Sequence, residues 1–310
     1  MQRNHPGSSN SSIAAGLFCA IILWGSNNAA TKYLVQGWPP VLVGATRFFI
    51  AGVIIIGILR WSSLLQSSGP LPVMVRKKLW GAPSIVLAVY LIFFNLAMEF
   101  TSASHVALHL GASPVWALLW ERRPEWSAKS LQSYGAALLA LSGVVILFWP
   151  VLHQGGTGWI GEVLAFGSSI FWTAYGRQCR ALTTVLTSAE VAACTFWRGG
   201  LMVTPIAIGE LLYRGIDPDP KYLIVQSYCI IASGVIAFLL WNRGLKYWPT
   251  SKVYLFNNLI PLSTTLFAYL FLKEPISPTF GIAMCLILAG VGLGQLGWNL
   301  VGRKLTQESS

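Results

Sequence analysis

An all-α integral membrane protein, with ten transmembrane helices in two inverted five-helix halves around a central cavity, is the fold this sequence predicts. Three observations predict it. The 310-residue chain is 55% apolar and only 10% charged, against about 25% charged in soluble proteins. Its apolar residues fall into ten runs, each close to the ~20 residues that cross about 30 Å of hydrocarbon. The first half also recurs in the second. Asn95, Pro114 and Gly143 reappear as Asn242, Pro261 and Gly290, each 147 positions on (242 − 95 = 147).

The runs cover, in order, roughly 13–34, 41–60, 80–99, 102–120, 130–149, 158–177, 188–209, 222–242, 251–272 and 277–298. A polar tail, 1–12, precedes them and another, 299–310, follows. The run from Ile13 shows no small-residue cleavage site after a short core, so it reads as a retained span and not a signal peptide. Spans one to five make the first repeat, 13–149, and spans six to ten the second, 158–298. Linkers are short apart from 61–79 and 213–221.

Charge sets the orientation. On a ten-span reading, 14 of the 21 Lys and Arg residues lie on one side, including Arg60, Arg76, Lys77 and Lys78. Four (Lys32, Arg214, Lys221 and Lys273) lie on the other. By the positive-inside rule both termini are expected in the cytoplasm, which suits a bacterial inner membrane. Five spans per half is an odd number, so the second copy enters the bilayer upside down. Inverted repeats in a string of spans mark a transporter whose halves exchange shapes to open to each side in turn.

The net charge of +11 is therefore topology, with lipid and not nucleic acid as the expected surroundings. Five cysteines without CxxC spacing read as small core residues, neither a disulfide set nor a zinc site. No HExxH, GxSxG or paired intramembrane aspartates occur, so no enzyme, cofactor or resident metal is expected.

Polar residues inside apolar runs are the candidate site residues. Span one carries Trp24, Asn27, Asn28 and Thr31 at i, i+3, i+4 and i+7, one helical face. Span nine repeats this with Tyr254, Asn257 and Asn258. Buried amides need partners, which either a polar solute or a neighbouring helix supplies. Asn95 and Asn242 occupy equivalent helix ends, where they hold structure or touch solute. In span four His105 and His109, at i and i+4, share a face with Trp116. They could ligate a metal if a third ligand existed, carry a proton, or simply pack. Trp172 and Tyr175 could join Trp24, Trp116 and Tyr254 in an aromatic-walled pocket, although aromatics also collect at interfaces. Arg47 and Arg198 lie in the second span of each half, and an intramembrane charge is a functional candidate. The acids fall near span ends, so a buried coupling carboxylate is not expected unless Glu162 or Glu190 lies deeper.

Motif order then points to a family. Trp24-Gly25-Ser26, Arg47, Thr101-Ser102-Ala103-Ser104, Pro114 and Gly143-Val144 lie in the first half; Phe171-Trp172-Thr173-Ala174-Tyr175, Trp241-Asn242-Arg243-Gly244-Leu245, Pro261, Lys273-Glu274-Pro275 and Ala289-Gly290-Val291 lie in the second. These are two sets of stretches, one in each half, and not one-for-one recurrences; in their order and spacing the chain resembles the drug/metabolite transporter superfamily, with two EamA-type repeats. The family's acidic residue after the proline-bearing span is matched by Glu274. Its first-repeat equivalent is Ser127, with Glu125 two positions away. The resemblance implies ten helices around a central cavity that passes a small solute between the halves.

The expected function is a secondary transporter, exporting a small organic solute such as an amino acid or related metabolite. Amides and aromatics without fixed anions favour a neutral or zwitterionic solute. A multidrug, sugar or phosphometabolite carrier of the same fold is the alternative, followed by a channel or non-transporting scaffold.

Overall fold

The computed structural model describes residues 10–65, 67–69, 71–113, 116, 120, 128–154, 158–247, 256 and 259–307. Among the described residues its helices overlap the expected spans, and a further short helix forms inside the expected 61–79 linker. They are α1 (Asn10–Leu34), α2 (Pro40–Trp61), a short α3 (Val73–Leu79), α4 (Ala82–Phe100) and α5 (Ala103–Gly111). Next come α6 (Ala128–Gln154), α7 (Gly158–Leu182), α8 (Ser188–Arg214), α9 (Pro220–Tyr228) and α10 (Ala237–Tyr247). The last are α11 (Ile260–Phe267) and α12 (Pro278–Gln307). A π-helical stretch, Cys229–Ile236, joins α9 to α10, and another, Ala268–Leu272, extends α11.

Local chemistry sets the ends. Proline stands in the first turn of α2, α4, α9 and α11, where its missing N–H costs nothing. α8 opens on a capping box between Thr187 and Glu190, satisfying two otherwise orphaned donors. The stretch after α11 ends at Lys273, whose φ of 57° is left-handed, and Pro275 follows. The last helix runs through Gln307, so much of the expected polar tail 299–310 is helical.

Among the described residues, five stretches are long and apolar enough to cross a membrane: Asn10–Leu34, Pro40–Trp61, Val73–Phe100, Ser188–Arg214 and Pro220–Trp241. α7 is as long but more polar. Its Glu162, Ser168, Ser169 and Thr173 are all buried, because this helix faces its neighbours. Large apolar side chains such as Phe18, Val53, Ile85, Ile206 and Phe271 point outward, the reverse of a soluble protein and the surface lipid requires. The cysteines only half follow expectation: Cys194 and Cys229 are buried, but Cys19 and Cys285 lie on exposed faces.

The packing is closed under exchange of the halves. α2 packs on α8, α6 on α12 and α5 on α11, each an equivalent pair. α1 packs on α10 and α11 as α7 packs on α4 and α5. The end of the α11 extension meets the start of α5, where Glu274 bonds Ala103 N, so these equivalent helices run antiparallel.

Close contacts repeat the symmetry residue by residue. A Cβ on Gly143 would lie 2.8 Å from Ala283 O and also strike Ile287. A Cβ on Gly290 would lie 2.6 Å from Ala136 O and also strike Ala140. Those partners are themselves equivalents (283 − 136 = 147; 287 − 140 = 147). Overpacking of this kind costs about 1–3 kcal/mol. Gly290→Leu is therefore expected to lower the melting temperature in detergent, and an unchanged melt would contradict the close α6–α12 approach.

Candidate functional site

Among the described residues, two buried polar centres lie nearer the end that carries the 35–39 and 215–219 loops. The first surrounds Arg47, seven residues into α2 or about 10 Å along it. Its side chain is 4% exposed. Nη1 donates to Asn27 Oδ1 (3.1 Å) and Thr31 Oγ1 (3.0 Å) of α1. Ser233 Oγ is 2.7 Å from the same Asn27 oxygen and 2.7 Å from Cys229 O. Ser233 sits in the first π-helical stretch, and Trp24 Nε1 donates to its carbonyl (3.2 Å). Such π-stretches occur often at functional sites; here one brings a hydroxyl beside the α1 amide.

Aromatic rings enclose this centre. The Arg47 guanidinium lies over Phe48 (4.9 Å) and Phe94 (5.5 Å). Phe48 continues through Phe196 and Phe238 to Trp24. Phe94 continues through Tyr90 and Trp172 to Tyr175. The expected aromatic wall thus has two arms that meet at the arginine. Among the described residues no carboxylate pairs with Arg47. Cation–π contacts and neutral acceptors offset part of its desolvation, and a carboxylate would add charge-assisted, bidentate bonds.

The second centre is Glu162, in the first turn of α7 and fully buried. Oε1 lies 2.6 Å from His105 Nδ1 and 2.5 Å from Thr101 Oγ1. Oε2 lies 2.8 Å from His109 Nε2. An ionised carboxylate only accepts, so each of these three atoms donates its proton to it. The first turn of α7 is buried because Gly161 rests against the Phe100–Thr101 backbone. Glu162 thus stands near a span end, as its position in the sequence indicates, and is nevertheless buried, the exception that the sequence left open for this residue. The missing third group beside the two histidines is this carboxylate, and the contacts are direct hydrogen bonds. Among the described residues no group of three has the arrangement of a metal site.

His105 is the partly exposed member, its side chain 23% exposed against 0% for Glu162 and His109. With both imidazoles neutral the cluster carries one negative charge; with one proton more it is neutral. The Ser102 side chain caps α5 by accepting from His105 N. Glu274 caps the same end, accepting from Ala103 N (2.8 Å), Ser104 N (3.2 Å) and Ser104 Oγ (2.8 Å). Glu274→Ala is expected to cost about 1–2 kcal/mol of stability, read as a lower detergent melt; no change would show that the cap is dispensable.

The remaining sequence candidates fall in several places. Asn28 Nδ2 donates to Thr264 Oγ1 (3.0 Å), tying α1 to α11. Asn95 is fully buried against Gly44, one turn from Arg47; its Nδ2 donates to Leu91 O (2.7 Å) and its Oδ1 has no partner among the described residues. Trp116 Nε1 donates to Ser169 Oγ (2.8 Å) and its ring meets Phe166, beside His109 and apart from both aromatic arms. Arg198 lies toward the other end of the bundle. Tyr254, Asn257 and Asn258 lie outside the described residues, as does the side chain of Asn242. Sequence reasoning missed Ser233, Thr101, Tyr90 and Thr264. Ser233 alone had a signal: it is the one hydroxyl in the run 229–240.

A family model described as "EamA-like transporter family" matches residues 11–149 and 159–293. Similar curated proteins include an uncharacterized transporter of Archaeoglobus fulgidus, 22% identical over 89% of this chain and 95% of that protein. Another is the uncharacterized inner membrane transporter YedA of Escherichia coli K12, 24% identical over 92% and 86%. A third is the S-adenosylmethionine/S-adenosylhomocysteine transporter of Chlamydia trachomatis serovar D, 23% identical over 92% and 87%. One solved crystal structure matches at a TM-score of 0.62 and 23% identity, covering 93% of this chain and 98% of its own. That likeness bears on the fold alone.

Proposed function

The chain belongs to the EamA-like transporter family, and from that premise we propose that it carries a small organic solute with a carboxylate group, an amino acid or related metabolite. The observation that carries this reading is Arg47: a buried guanidinium whose hydrogen-bond partners are the neutral Asn27 and Thr31. At 4 Å and an effective dielectric of 20, a carboxylate there gains about 4 kcal/mol of Coulomb energy. No neutral sugar does. The two aromatic arms suit a solute with an apolar or ring-bearing side chain. The named solutes of the Chlamydia relative are themselves amino-acid derivatives, which supports the class.

In this mechanism the solute carboxylate docks on Arg47 while its side chain lies along the Tyr90–Trp172 arm. The Glu162 cluster takes up a proton through His105 from the non-cytoplasmic side, becomes neutral, and releases it after the halves exchange shapes. Proton entry against solute exit gives export across a bacterial inner membrane, with both termini cytoplasmic. The chemistry used is binding, orientation and proton transfer, with no bond in the solute broken. The test is counterflow in proteoliposomes loaded with amino acids, sugars or cationic drugs. Accelerated exchange of amino acids alone is expected; exchange of sugars or drugs alone would refute the solute class.

A further inference from the structure

Toward the end of the bundle away from Glu162, a cavity of about 700 Å³ opens between the end of α2, the 62–72 linker, α3 and the start of α8. Three arginines line it: Arg60, Arg76 and Arg198. Arg198 is 4% exposed. Its Nη1 donates to Cys194 O (2.8 Å), and the guanidinium sits over Trp197 (4.3 Å) and Trp80 (5.3 Å). Its Nε is buried with no partner among the described residues.

The acid in the cavity, Glu190, is already saturated. Oε1 accepts from Ser67 Oγ (2.9 Å) and Ser68 N (2.7 Å), and Oε2 from Ser68 Oγ (2.6 Å) and Thr187 N (2.8 Å). Three cations therefore face one carboxylate whose lone pairs are taken. An orphaned guanidinium donor needs an acceptor, and in a basic cleft an anion with several oxygens supplies one with charge-assisted bonds.

We infer that this cleft is a phosphate-binding site, separate from the transport site. Arginine forks match phosphate oxygens, and three of them suit a tetrahedral anion better than a planar carboxylate. The surroundings point to a lipid headgroup as the source. Trp61, Leu64, Val73 and Met74 are strongly exposed beside the Arg76-Lys77-Lys78 run, an interfacial pattern of apolar and basic side chains. Ile56, Leu59 and Trp197 give the cleft an apolar wall. A free phosphate presents the same chemistry without needing that wall.

The experiment titrates the purified full chain in detergent with phosphatidylglycerol, phosphatidylcholine or inorganic phosphate, reading thermal stabilisation and bound mass. R60Q/R76Q is the test variant, since both side chains are exposed; R198Q is the second. Phosphatidylglycerol is expected to stabilise the wild type more than phosphatidylcholine. Its apparent affinity is expected to fall at least about tenfold in R60Q/R76Q. Stabilisation by inorganic phosphate as well would assign a free phosphate as ligand; stabilisation by phosphatidylglycerol alone would assign the headgroup. Equal affinity in wild type and variant, or no response to either anion, overturns the site.

Discussion

Arg47→Gln is expected to abolish counterflow, with exchange at least about a hundredfold below wild type in folded protein. The estimate follows from the competing terms at this side chain. A carboxylate at 4 Å gains about 4 kcal/mol at an effective dielectric of 20, about a thousandfold in affinity. Removing the guanidinium also removes its desolvation cost and frees Asn27 and Thr31, which returns part of that. Glutamine keeps a donor for Asn27 Oδ1, which Ser233 also serves, so the fold is expected to survive. Arg47→Lys is the informative companion. It keeps the charge but loses the planar fork and the stacking on Phe48 and Phe94, so it should raise the half-saturating solute concentration more than it lowers the maximal rate. Wild-type exchange in Arg47→Gln would remove the arginine from the solute site.

Glu162→Gln is expected to separate two activities. Gradient-driven transport should be lost together with its pH dependence, while solute-for-solute exchange, which moves no net proton, should continue. The amide has the shape of the acid and still accepts from Thr101 and one imidazole, but it cannot take a proton. Deleting the group outright is less useful, because each buried neutral donor left unpaired costs about 1–3 kcal/mol. His105→Gln should shift the pH profile more than His109→Gln, since His105 is the partly exposed member of the cluster. The readout is pH-jump-driven uptake against counterflow in the same vesicles. Equal loss of both activities in Glu162→Gln would make the cluster structural.

The architecture was legible because lipid imposes simple rules. Hydropathy and length place the spans, and Gly143 with Gly290 announced a symmetry that the helix contacts repeat. The span-one face was legible too: Trp24, Asn27 and Thr31 do meet Arg47 and Ser233. The Glu162 cluster was not, because the depth of a helix's first turn depends on what packs over it. Here the turn at Phe100–Thr101 covers Gly161 and seals the acid among residues 53 to 61 positions away. The pairing of Trp116 with Ser169 and not with Trp172 was equally hidden. Helical periodicity gives the face a residue occupies, but not which neighbouring helix that face meets.

The central claim is that a solute carboxylate sits on the buried guanidinium. Its most direct measurement is wild-type counterflow with an amino acid that exchanges, compared with the carboxamide of that same amino acid. The two differ little in size and side chain but only one carries the anion. The account predicts that the acid accelerates exchange and the amide does so at least about a hundredfold less effectively. Equal exchange of the two would contradict it.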